Sequence, residues 1–331
     1  MNAEACWEEM IRQGGADFPP GWGRMMTDAA YWQPAVAAIC AAHNLPFAGT
    51  MIPGVEGSHA VFLTPDFVVK IYAAPWPVWF AREVECLRVL EAVPEARAPR
   101  LLAQGQATNG DAAHPYLVME RLPGEPLSAC WEGMNPSERC SVAAQIGPMV
   151  RALHAAPIES LEAFPKAPSA WVRRMRARAA NCARFLHEYN LAPHLEAELP
   201  RFLPENLHLI TEDFRPCLLN ADLHGDHILV ERRAGGWQVT GQIDFGDAEV
   251  GPVEYEWFAL CIDAFRGDKD VMRAFFAAYG WPLPMEAATR QRVKLTMLLH
   301  TFPNIGKCAE LAGKPTDAPT LDALLDSFWP D

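Results

Sequence analysis

Two stretches decide the fold: Asn220-Ala-Asp-Leu-His-Gly-Asp-His-Ile-Leu-Val230 and, farther along the chain, Ile243-Asp-Phe-Gly-Asp247. In the first, a polar loop runs into an apolar strand, and in the second, an apolar strand ends in an acidic loop. A hairpin that joins the two strands would bring Asp222, His227 and Asp244 together at one end of a short ribbon. The pattern therefore predicts a cluster of charged side chains carried by two neighbouring loops.

Such a cluster suits phosphoryl transfer, in which one carboxylate accepts or orients a hydroxyl proton and another helps to hold magnesium against the phosphates. A zinc site built on His224 and His227 is an alternative. Residues three apart on a loop that enters a strand point to different faces, however, and a mostly carboxylate cluster favours a hard cation. Ordinary solvated loop carboxylates are the remaining alternative.

A lysine lies inside the apolar stretch Phe67-Val-Val-Lys-Ile-Tyr72. A lone charge in such a strand costs free energy unless it is paired, and Glu83 on the following predicted helix is the natural partner. Together, Lys70 and Glu83 could hold triphosphate oxygens, with the lysine acting as a point charge. The alternative is an edge strand with an exposed lysine.

A glycine-containing turn, Gly54-Val-Glu-Gly-Ser-His59, precedes this strand. Glycine lets a backbone approach phosphates closely, which predicts nucleotide contacts from Gly54, Gly57 and Ser58. The turn does not match the GxxxxGK[ST] pattern, so a P-loop fold is disfavoured.

The chain changes character near Leu122-Pro-Gly124, which predicts two parts, residues 1–122 and 123–331. The first part shows strand patterns with one long helix, Phe80–Ala92, after a strand pair joined around Pro65-Asp66. Further elements are predicted at Tyr31–His43 (helix), Arg100–Gln106 and Pro115–Glu120 (strands). The second part reads as helical, at Ser137–His154, Trp171–Asn190, Val271–Tyr279 and Glu286–Thr301, interrupted by the strands His227–Glu231 and Trp237–Ile243. The basic run Arg173, Arg174, Arg176 and Arg178 is expected to be a solvated helix face.

Composition limits the possible functions of the 331 residues. The formal net charge of −13 argues against a nucleic-acid partner and suits a cationic one. Nine cysteines without a CxxC pair predict a reducing compartment, the cytoplasm, rather than a disulfide framework. The longest stretch without charged residues, 29–55, contains prolines and polar residues, so no membrane span is expected. A monomer or a homodimer fits these limits.

In this order, the segments resemble the aminoglycoside phosphotransferase and choline-kinase-like family over nearly the whole chain, and most of all the hygromycin B phosphotransferases. The resemblance is carried by Tyr116–Gly124, the Asp222 loop with Ile228–Val230, Ile243–Phe245, Asp263–Asp268 and Leu324–Pro330. It implies an α+β, bilobal protein-kinase-like fold with a small β-rich N-terminal lobe and a larger, mainly helical C-terminal lobe. It also implies transfer of the γ-phosphoryl group of ATP or GTP, with Mg²⁺, to a hydroxyl of an aminoglycoside-type antibiotic such as hygromycin B.

Roles for individual residues follow from the same resemblance. Asp222 would be the catalytic base, and His227 and Asp244 the magnesium ligands. Lys70 and Glu83 would form the ion pair that binds the phosphates. Further implied residues are Glu120 and Leu122, which would offer backbone hydrogen bonds to the base, and Glu256, which would have a structural role. From the charge of the chain, we predict an acidic acceptor site made by Asp226, Asp247, Asp263 and Asp268.

The sequence departs from the family pattern at two places in the first loop. The family usually has His-Gly-Asp where this chain has Asn220-Ala221-Asp222, and asparagine where it has His227. His224-Gly225-Asp226 spells the family tripeptide, but the apolar strand aligns only when Asp222 is the base. Two alternatives stay open: a metabolic small-molecule kinase whose aromatic cage would be Trp257, Phe258, Phe265 and Trp281, and a nucleotide-binding protein with little or no catalysis.

Overall fold

Strands dominate the first part of the chain, and helices dominate the rest. The computed structural model describes residues 22–54, 57–73, 77–109, 112–188, 190–314 and 317–331. The strands are β1 (Ile52–Pro53), β2 (Ala60–Leu63), β3 (Phe67–Ile71), β4 (Leu101–Asn109), β5 (Ala112–Glu120), β6 (Glu125–Pro126), β7 (Cys217–Leu219), β8 (Ile228–Arg233), β9 (Gly236–Gln242) and β10 (Glu249–Gly251). The helices are α1 (Trp22–Met25), α2 (Ala29–Ala42), α3 (Pro77–Leu90), α4 (Leu127–Cys130), α5 (Pro136–His154), α6 (Pro168–Glu188), α7 (Pro193–Glu196), α8 (Leu199–Asn206), α9 (Lys269–Tyr279), α10 (Ala287–Leu298), α11 (Ile305–Leu311) and α12 (Leu321–Ser327).

The strands β1 to β5 form one antiparallel sheet in the order β1-β2-β3-β5-β4. Its central strand β3 alternates strictly. Phe67, Val69 and Ile71 pack beneath α1 and α2, whereas Val68 lies on the opposite face with the core of α3. Successive side chains of a strand point to opposite faces, so Lys70 is directed to the α3 side. Burial of the two faces by different helices thus determines where the lysine points.

The C-terminal part packs its helices around one large apolar cluster that includes residues from α5, α6, α9 and α10. Two small sheets, β7 with β10 and β6 with β8 and β9, connect this cluster to the larger sheet. Gly124 adopts a φ of 105°, and a Cβ atom there would lie 2.5 Å from the Val230 carbonyl oxygen. The chain can therefore pass this close to β8 only with glycine at the crossing.

Two arginines of α6 correct the expectation of a solvated basic face. Arg174 and Arg178 are buried, and their guanidinium groups lie 2.7 and 2.9 Å from the Glu249 carboxylate. Arg178 also donates to the Thr301 hydroxyl at 2.7 Å. These two arginines are four residues apart and share the inner face of the helix, whereas Arg173 and Arg176 are exposed. The buried carboxylate, distant in sequence, is what holds half of the basic run inside.

The predicted α+β architecture is confirmed, with element ends that differ by a few residues. The predicted pair of strands around Pro65-Asp66 is β2 and β3, and the predicted long helix is α3. The three-residue strands β7 and β10 and the π-helix Phe258–Ala264 were not predicted, because elements this short lack a repeating pattern. Among the residues described, no helix is both long and apolar enough to cross a membrane.

Candidate active site

Two loops meet because of the pairing of four small strands. The loop 220–227 leaves β7 and enters β8, and the loop 243–248 leaves β9 and enters β10. Ile228 at the start of β8 is paired with Gln242 at the end of β9, and β10 is paired with β7. Both loops therefore emerge at one end of the ribbon, as the sequence predicted.

An ion-pair triad joins the sheet to the second loop. The Lys70 ammonium lies 2.7 Å from Oε2 of Glu83 and 2.8 Å from Oδ1 of Asp244, a residue 174 positions away in sequence. Glu83 comes from α3, so three separate elements contribute to the triad. Tyr72 also donates its hydroxyl hydrogen to Oε2 of Glu83. The sequence analysis missed Tyr72, although its position two residues after Lys70 on one strand places it on the same face.

In the triad, Coulomb attraction between the charged groups outweighs the effect of burial on the pKa values of Lys70 and Asp244. Burial works to lower the pKa of Lys70, but the charges of Asp244 and Glu83 outweigh it and raise that pKa above its usual value. Burial works to raise the pKa of Asp244, but the Lys70 charge holds it well below its usual range. Lys70 and Asp244 are therefore both charged at neutral pH.

Helix α3 is also fixed to the second loop by the neighbour of Glu83. Arg82 is 1% exposed, and its Nη1 donates to the Ala248 carbonyl at 3.5 Å. Its guanidinium lies 5.2 Å from the centre of the Phe164 ring. In the same loop, the Phe245 amide donates to Oε1 of Glu83 at 3.4 Å. Consecutive residues of one helix thus hold both the lysine and the loop that carries Asp244.

Asp222 lies in an environment that opposes its negative charge. Burial, followed by the charges of Asp247, Asp244 and Asp263, raises its pKa well above the usual value. Its nearest cationic candidates are imidazoles, with Nε2 of His224 and Nδ1 of His227 each 3.7 Å from Oδ2. A carboxylate with this raised pKa is a better proton acceptor than an ordinary aspartate.

Asn220 stands where the resemblance would place a histidine, and its side chain bonds to both loops. Its side-chain nitrogen donates to the carbonyls of Ile243 and Asp244 at 3.2 and 3.1 Å. Its side-chain oxygen accepts the Asp222 amide hydrogen at 3.1 Å. The fully buried Glu256 accepts the amide hydrogens of Asn220 and Ala221 at 2.8 and 3.1 Å. Asn220 therefore connects the two loops directly, and Glu256 has the contacts expected of a structural role.

Backbone strain is found in both loops. Ala221 and Asp244 have φ values of 64° and 59°, in the left-handed region that residues other than glycine seldom occupy. The Gly246 amide donates to Oδ1 of Asp244 at 3.2 Å and helps to hold the second strained residue. Strain of this kind persists only where surrounding contacts fix the backbone, and it is concentrated at functional sites.

The tautomer of His227 follows from its hydrogen bond. Its Nδ1 lies 2.8 Å from the Asp222 carbonyl, which can only accept, so Nδ1 carries the hydrogen. The neutral ring then presents the lone pair of Nε2, and this atom lies 3.8 Å from Oδ2 of Asp244. A ring that donates its other nitrogen to a carbonyl is the usual arrangement of a metal-binding histidine. The donor set of His227 and Asp244 therefore fits a divalent cation.

A second grouping, Asp222 with His224 and His227, also has ligand atoms within 4.8 Å of one another. His224 is poorly arranged for that role. Its Nδ1 accepts the Asp226 amide hydrogen at 3.2 Å, so in the neutral ring Nε2 carries the hydrogen and has no free lone pair. The hydrogen bonds thus favour the magnesium pair predicted from the sequence over the zinc alternative.

The residues predicted to contact the nucleotide lie in two segments, the glycine-containing turn and the end of β5. Gly54 packs tightly at the start of the turn, since a Cβ there would lie 3.0 Å from Val61, and residues 55 and 56 lie outside the described part of the chain. The Ser58 carbonyl accepts a hydrogen bond from the Trp22 indole at 3.1 Å. At the other edge, the Glu120 amide donates to the Arg100 carbonyl at 2.9 Å. Only the carbonyl of Glu120 is therefore left to meet a base, next to the backbone of Leu122.

The four predicted acceptor-site aspartates have different surroundings. Asp268 is the N-cap of α9 and accepts from the amides of its own helix. Asp226 accepts the Ser128 hydroxyl hydrogen, and Asp247 accepts from the Trp79 indole at 3.2 Å. Asp263 lies on the π-helix, half-buried, and in the described residues its carboxylate accepts no hydrogen bond. Its charge is nevertheless close enough to raise the pKa of Asp222.

The aromatic residues considered for a choline-type cage lie mostly in the core. Trp257, Phe258 and Phe265 are each no more than 2% exposed. Trp257 packs against Phe275, Phe276, Tyr279 and Trp281 with ring centres 5.0 to 5.6 Å apart. Three of the four candidates are thus used in packing.

Comparison with known proteins bears on the family and the fold of the chain. The model of a family described as the phosphotransferase enzyme family matches residues 52–295. The GDP complex of wild-type aminoglycoside 2'-phosphotransferase-IIIa is 17% identical, with a TM-score of 0.63 and coverage of 86% of this chain and 97% of that chain. Aminoglycoside-3'-phosphotransferase of type VIII is 21% identical, with a TM-score of 0.58 and coverage of 82% and 99%. These likenesses confirm the predicted kinase-like fold.

A curated relative of another description also matches. Lysine-specific demethylase JMJ21 of Arabidopsis thaliana is 21% identical over an alignment of 204 residues, with coverage of 51% of this chain and 22% of that protein. This chain thus matches about a fifth of the length of that relative.

Proposed function

The chain belongs to the phosphotransferase enzyme family, and from that premise we propose that it transfers the γ-phosphoryl group of ATP or GTP to a hydroxyl of a cationic aminoglycoside. One observation carries the proposal. Lys70 lies within 2.8 Å of both Glu83 and Asp244, which brings a buried ammonium and a loop carboxylate from distant segments to one place beside Asp222. This is the charge arrangement that phosphoryl transfer needs.

Each charged side chain has a distinct part in the proposed reaction. Lys70 would neutralise oxygens of the nucleotide phosphates, and Glu83 and Tyr72 would keep its ammonium in place. Asp222 would take the proton of the acceptor hydroxyl as that oxygen attacks the γ-phosphorus. Its raised pKa favours this transfer, because a more basic carboxylate binds the departing proton more readily. Asn220 would hold the backbone of Asp222 relative to Asp244.

Magnesium would be held by Nε2 of His227 and the carboxylate of Asp244, together with phosphate oxygens. Mg²⁺ prefers oxygen ligands but is commonly bound through only one or two protein groups, which is what these loops provide. When bound, the cation would neutralise negative charge on the phosphates. His227 stands where the family usually has asparagine, and its fixed tautomer leaves the required lone pair free.

The nucleotide would lie between the glycine-containing turn and the segment after β5. Gly54, Gly57 and Ser58 would approach the phosphates through the backbone. The Glu120 carbonyl and the Leu122 amide would meet the base. Because the Glu120 amide is already bonded to Arg100, the base must offer a donor to this residue rather than an acceptor.

The acceptor would be recognised by negative charge. Among the described residues, Asp222 has only two imidazoles within ion-pair distance, the charge of Asp263 acts on it, and the chain as a whole carries a formal charge of −13. Aminoglycosides carry several ammonium groups, which such a site would attract. The burial of Trp257, Phe258 and Phe265 weighs against the choline-type alternative. Hygromycin B, favoured by the sequence resemblance, is the first acceptor to test.

An acceptor screen with γ-labelled ATP and GTP tests the proposal. We expect label on at least one aminoglycoside and none on choline, amino acids or simple sugars. The matched control is Asp222→Asn, which should bind nucleotide normally and transfer no label above background. Label on choline alone would overturn the acceptor class. Nucleotide binding without transfer to any compound would instead support a binding protein.

A further inference from the structure

The N-terminal helices do more than cover the sheet. Trp22, in α1, is 1% exposed, and its indole nitrogen donates to the Ser58 carbonyl at 3.1 Å. Ser58 belongs to the glycine-containing turn, 36 residues farther along the chain. A buried indole N–H needs a partner, and here the partner is the backbone of a loop predicted to bind phosphate.

The face of the same ring is linked to the ion-pair triad through two further residues. Trp22 stacks on His114, with ring centres 5.5 Å apart and an interplanar angle of 23°. Nδ1 of His114 lies 3.1 Å from the Tyr72 carbonyl and must donate to it, since a carbonyl can only accept. Tyr72 in turn donates its hydroxyl hydrogen to Glu83, the partner of Lys70. Trp22 thus contacts the turn directly and is linked to Tyr72 through His114.

The bond to Ser58 also sets the direction of the next amide. In a trans peptide the C=O and the following N–H point in opposite directions. Because the Ser58 carbonyl points to Trp22, the His59 N–H points away from the N-terminal helices. Loops that bind phosphates do so through amides aimed in a common direction, and the Trp22 bond fixes one of them.

We propose that Trp22 is a positioning residue of the nucleotide site, which holds residues 57–59 of the glycine-containing turn in place for phosphate binding. This inference rests on the proposed function. Trp32 provides the matched comparison. It is equally buried and its ring also contacts His114, with ring centres 5.2 Å apart, but its indole nitrogen donates to the Met25 carbonyl at 2.9 Å, within the N-terminal helices. A purely structural role would make the two tryptophans equivalent.

The test compares Trp22→Phe with Trp32→Phe in the full chain. Each change keeps an aromatic ring and removes one indole donor. Trp22→Phe should raise the KM for the nucleotide about fivefold, the value of one ordinary hydrogen bond, with little change in kcat or in the acceptor KM. Trp32→Phe should lower the melting temperature and leave the nucleotide KM within about twofold.

Hydrogen exchange gives a second measurement that does not need turnover. The amides of residues 57–62 should exchange faster in Trp22→Phe than in the wild type, and at the wild-type rate in Trp32→Phe. If Trp22→Phe does not fold, 3-benzothienylalanine at position 22 keeps the ring shape and replaces the N–H with sulfur. It should give the same rise in KM.

The outcomes separate this inference from the proposed function. Equal effects of the two phenylalanine variants on the nucleotide KM, or an unchanged KM with benzothienylalanine, would overturn the role of Trp22 and leave the proposed function intact. Failure of the wild-type chain to bind ATP or GTP at all would overturn both.

Discussion

The two halves of the site treat negative charge in opposite ways. On the nucleotide side, Glu83 and Asp244 each lie within 2.8 Å of the Lys70 ammonium. On the acceptor side, the Asp222 carboxylate is 3.7 Å from two imidazoles, and Asp263 has no hydrogen-bond partner among the described side chains. The first half is complete before any ligand arrives. The second half leaves charge uncompensated, which is what a cationic acceptor can neutralise.

The same amino acid therefore has opposite pKa shifts on the two sides. Burial raises the pKa of Asp222, and the neighbouring carboxylates raise it further. For Asp244, burial is outweighed by the charge of Lys70, and the pKa falls well below its usual range. The difference fits the roles proposed for them, with Asp222 as the proton acceptor and Asp244 as an ionised metal ligand, although both residues lie on adjacent loops of one ribbon.

The largest expected effect comes from the acceptor side. Asp222→Asn removes the proton acceptor and should lower kcat by about a thousandfold, with nucleotide affinity kept within a few-fold. Steady-state kinetics and isothermal titration calorimetry measure the two quantities. Asp226→Asn is the matched control from the same loop, because Asp226 contacts Ser128 and is more exposed. If the two variants lost activity equally, Asp222 would not be the base.

A smaller loss is expected from breaking the nucleotide side. Lys70→Met leaves Glu83 and Asp244 without their counter-charge, and should lower kcat/KM for the nucleotide by about a hundredfold. It should also destabilise the fold by about 3 kcal/mol, since it strands buried carboxylates. Urea unfolding measures the second effect. Lys294→Met is the control, because Lys294 is buried and paired with Asp322 and Asp326, far from the site in sequence. It should cost stability without changing kcat/KM in the folded fraction.

A tenfold effect on the acceptor KM is expected at Asp263, whose carboxylate accepts no hydrogen bond among the described residues. Asp263→Asn should raise the KM for a cationic aminoglycoside by roughly tenfold and leave the nucleotide KM unchanged. Asp268→Asn removes the same charge from the same segment and keeps the helix cap, because asparagine caps as well as aspartate. An equal rise of the acceptor KM in both variants would mean that general charge, rather than Asp263, attracts the acceptor.

The smallest expected effect is a shift of the pH–rate profile. Asp222 must be ionised to accept a proton, so kcat should fall as the pH drops through its raised pKa. Asp247 is the neighbouring charge that raises this pKa most after burial. Asp247→Asn removes a negative charge, stabilises the Asp222 carboxylate, lowers its pKa and should move the acidic limb of the pH–rate profile to lower pH. A limb that stays in place would show that another group controls it.

The sequence predicted the parts of this comparison that depend on regular patterns. Alternation in Phe67–Ile71 placed Lys70 on one face of a strand, and the paired loops placed Asp222 near Asp244. Contacts between distant residues were less accessible. Arg174 and Arg178 read as a solvated face because their partner, Glu249, lies on a three-residue strand. Nothing local distinguishes a basic helix face that meets a buried carboxylate from one that meets water.

The acceptor side shows the same limit. Asp263 and Asp268 look alike in sequence, yet one faces Asp222 and the other caps α9. The π-helix that presents Asp263 ends between them, and a pattern of periodicity does not reveal such a turn. The role of Asn220 as a bridge between loops was likewise hidden, because its three partners are backbone groups, two of which lie more than twenty residues away.

Arg82 and Glu83 are adjacent in α3, and together they fix the position of that helix. Glu83 holds Lys70, and Arg82 is buried against Ala248 and Phe164 in the C-terminal part. An outward movement of α3 would separate Arg82 from the Phe164 ring and Glu83 from Lys70 at the same time. The inward position of α3 is therefore stabilised twice, by a charge pair and by packing of a guanidinium on an aromatic ring.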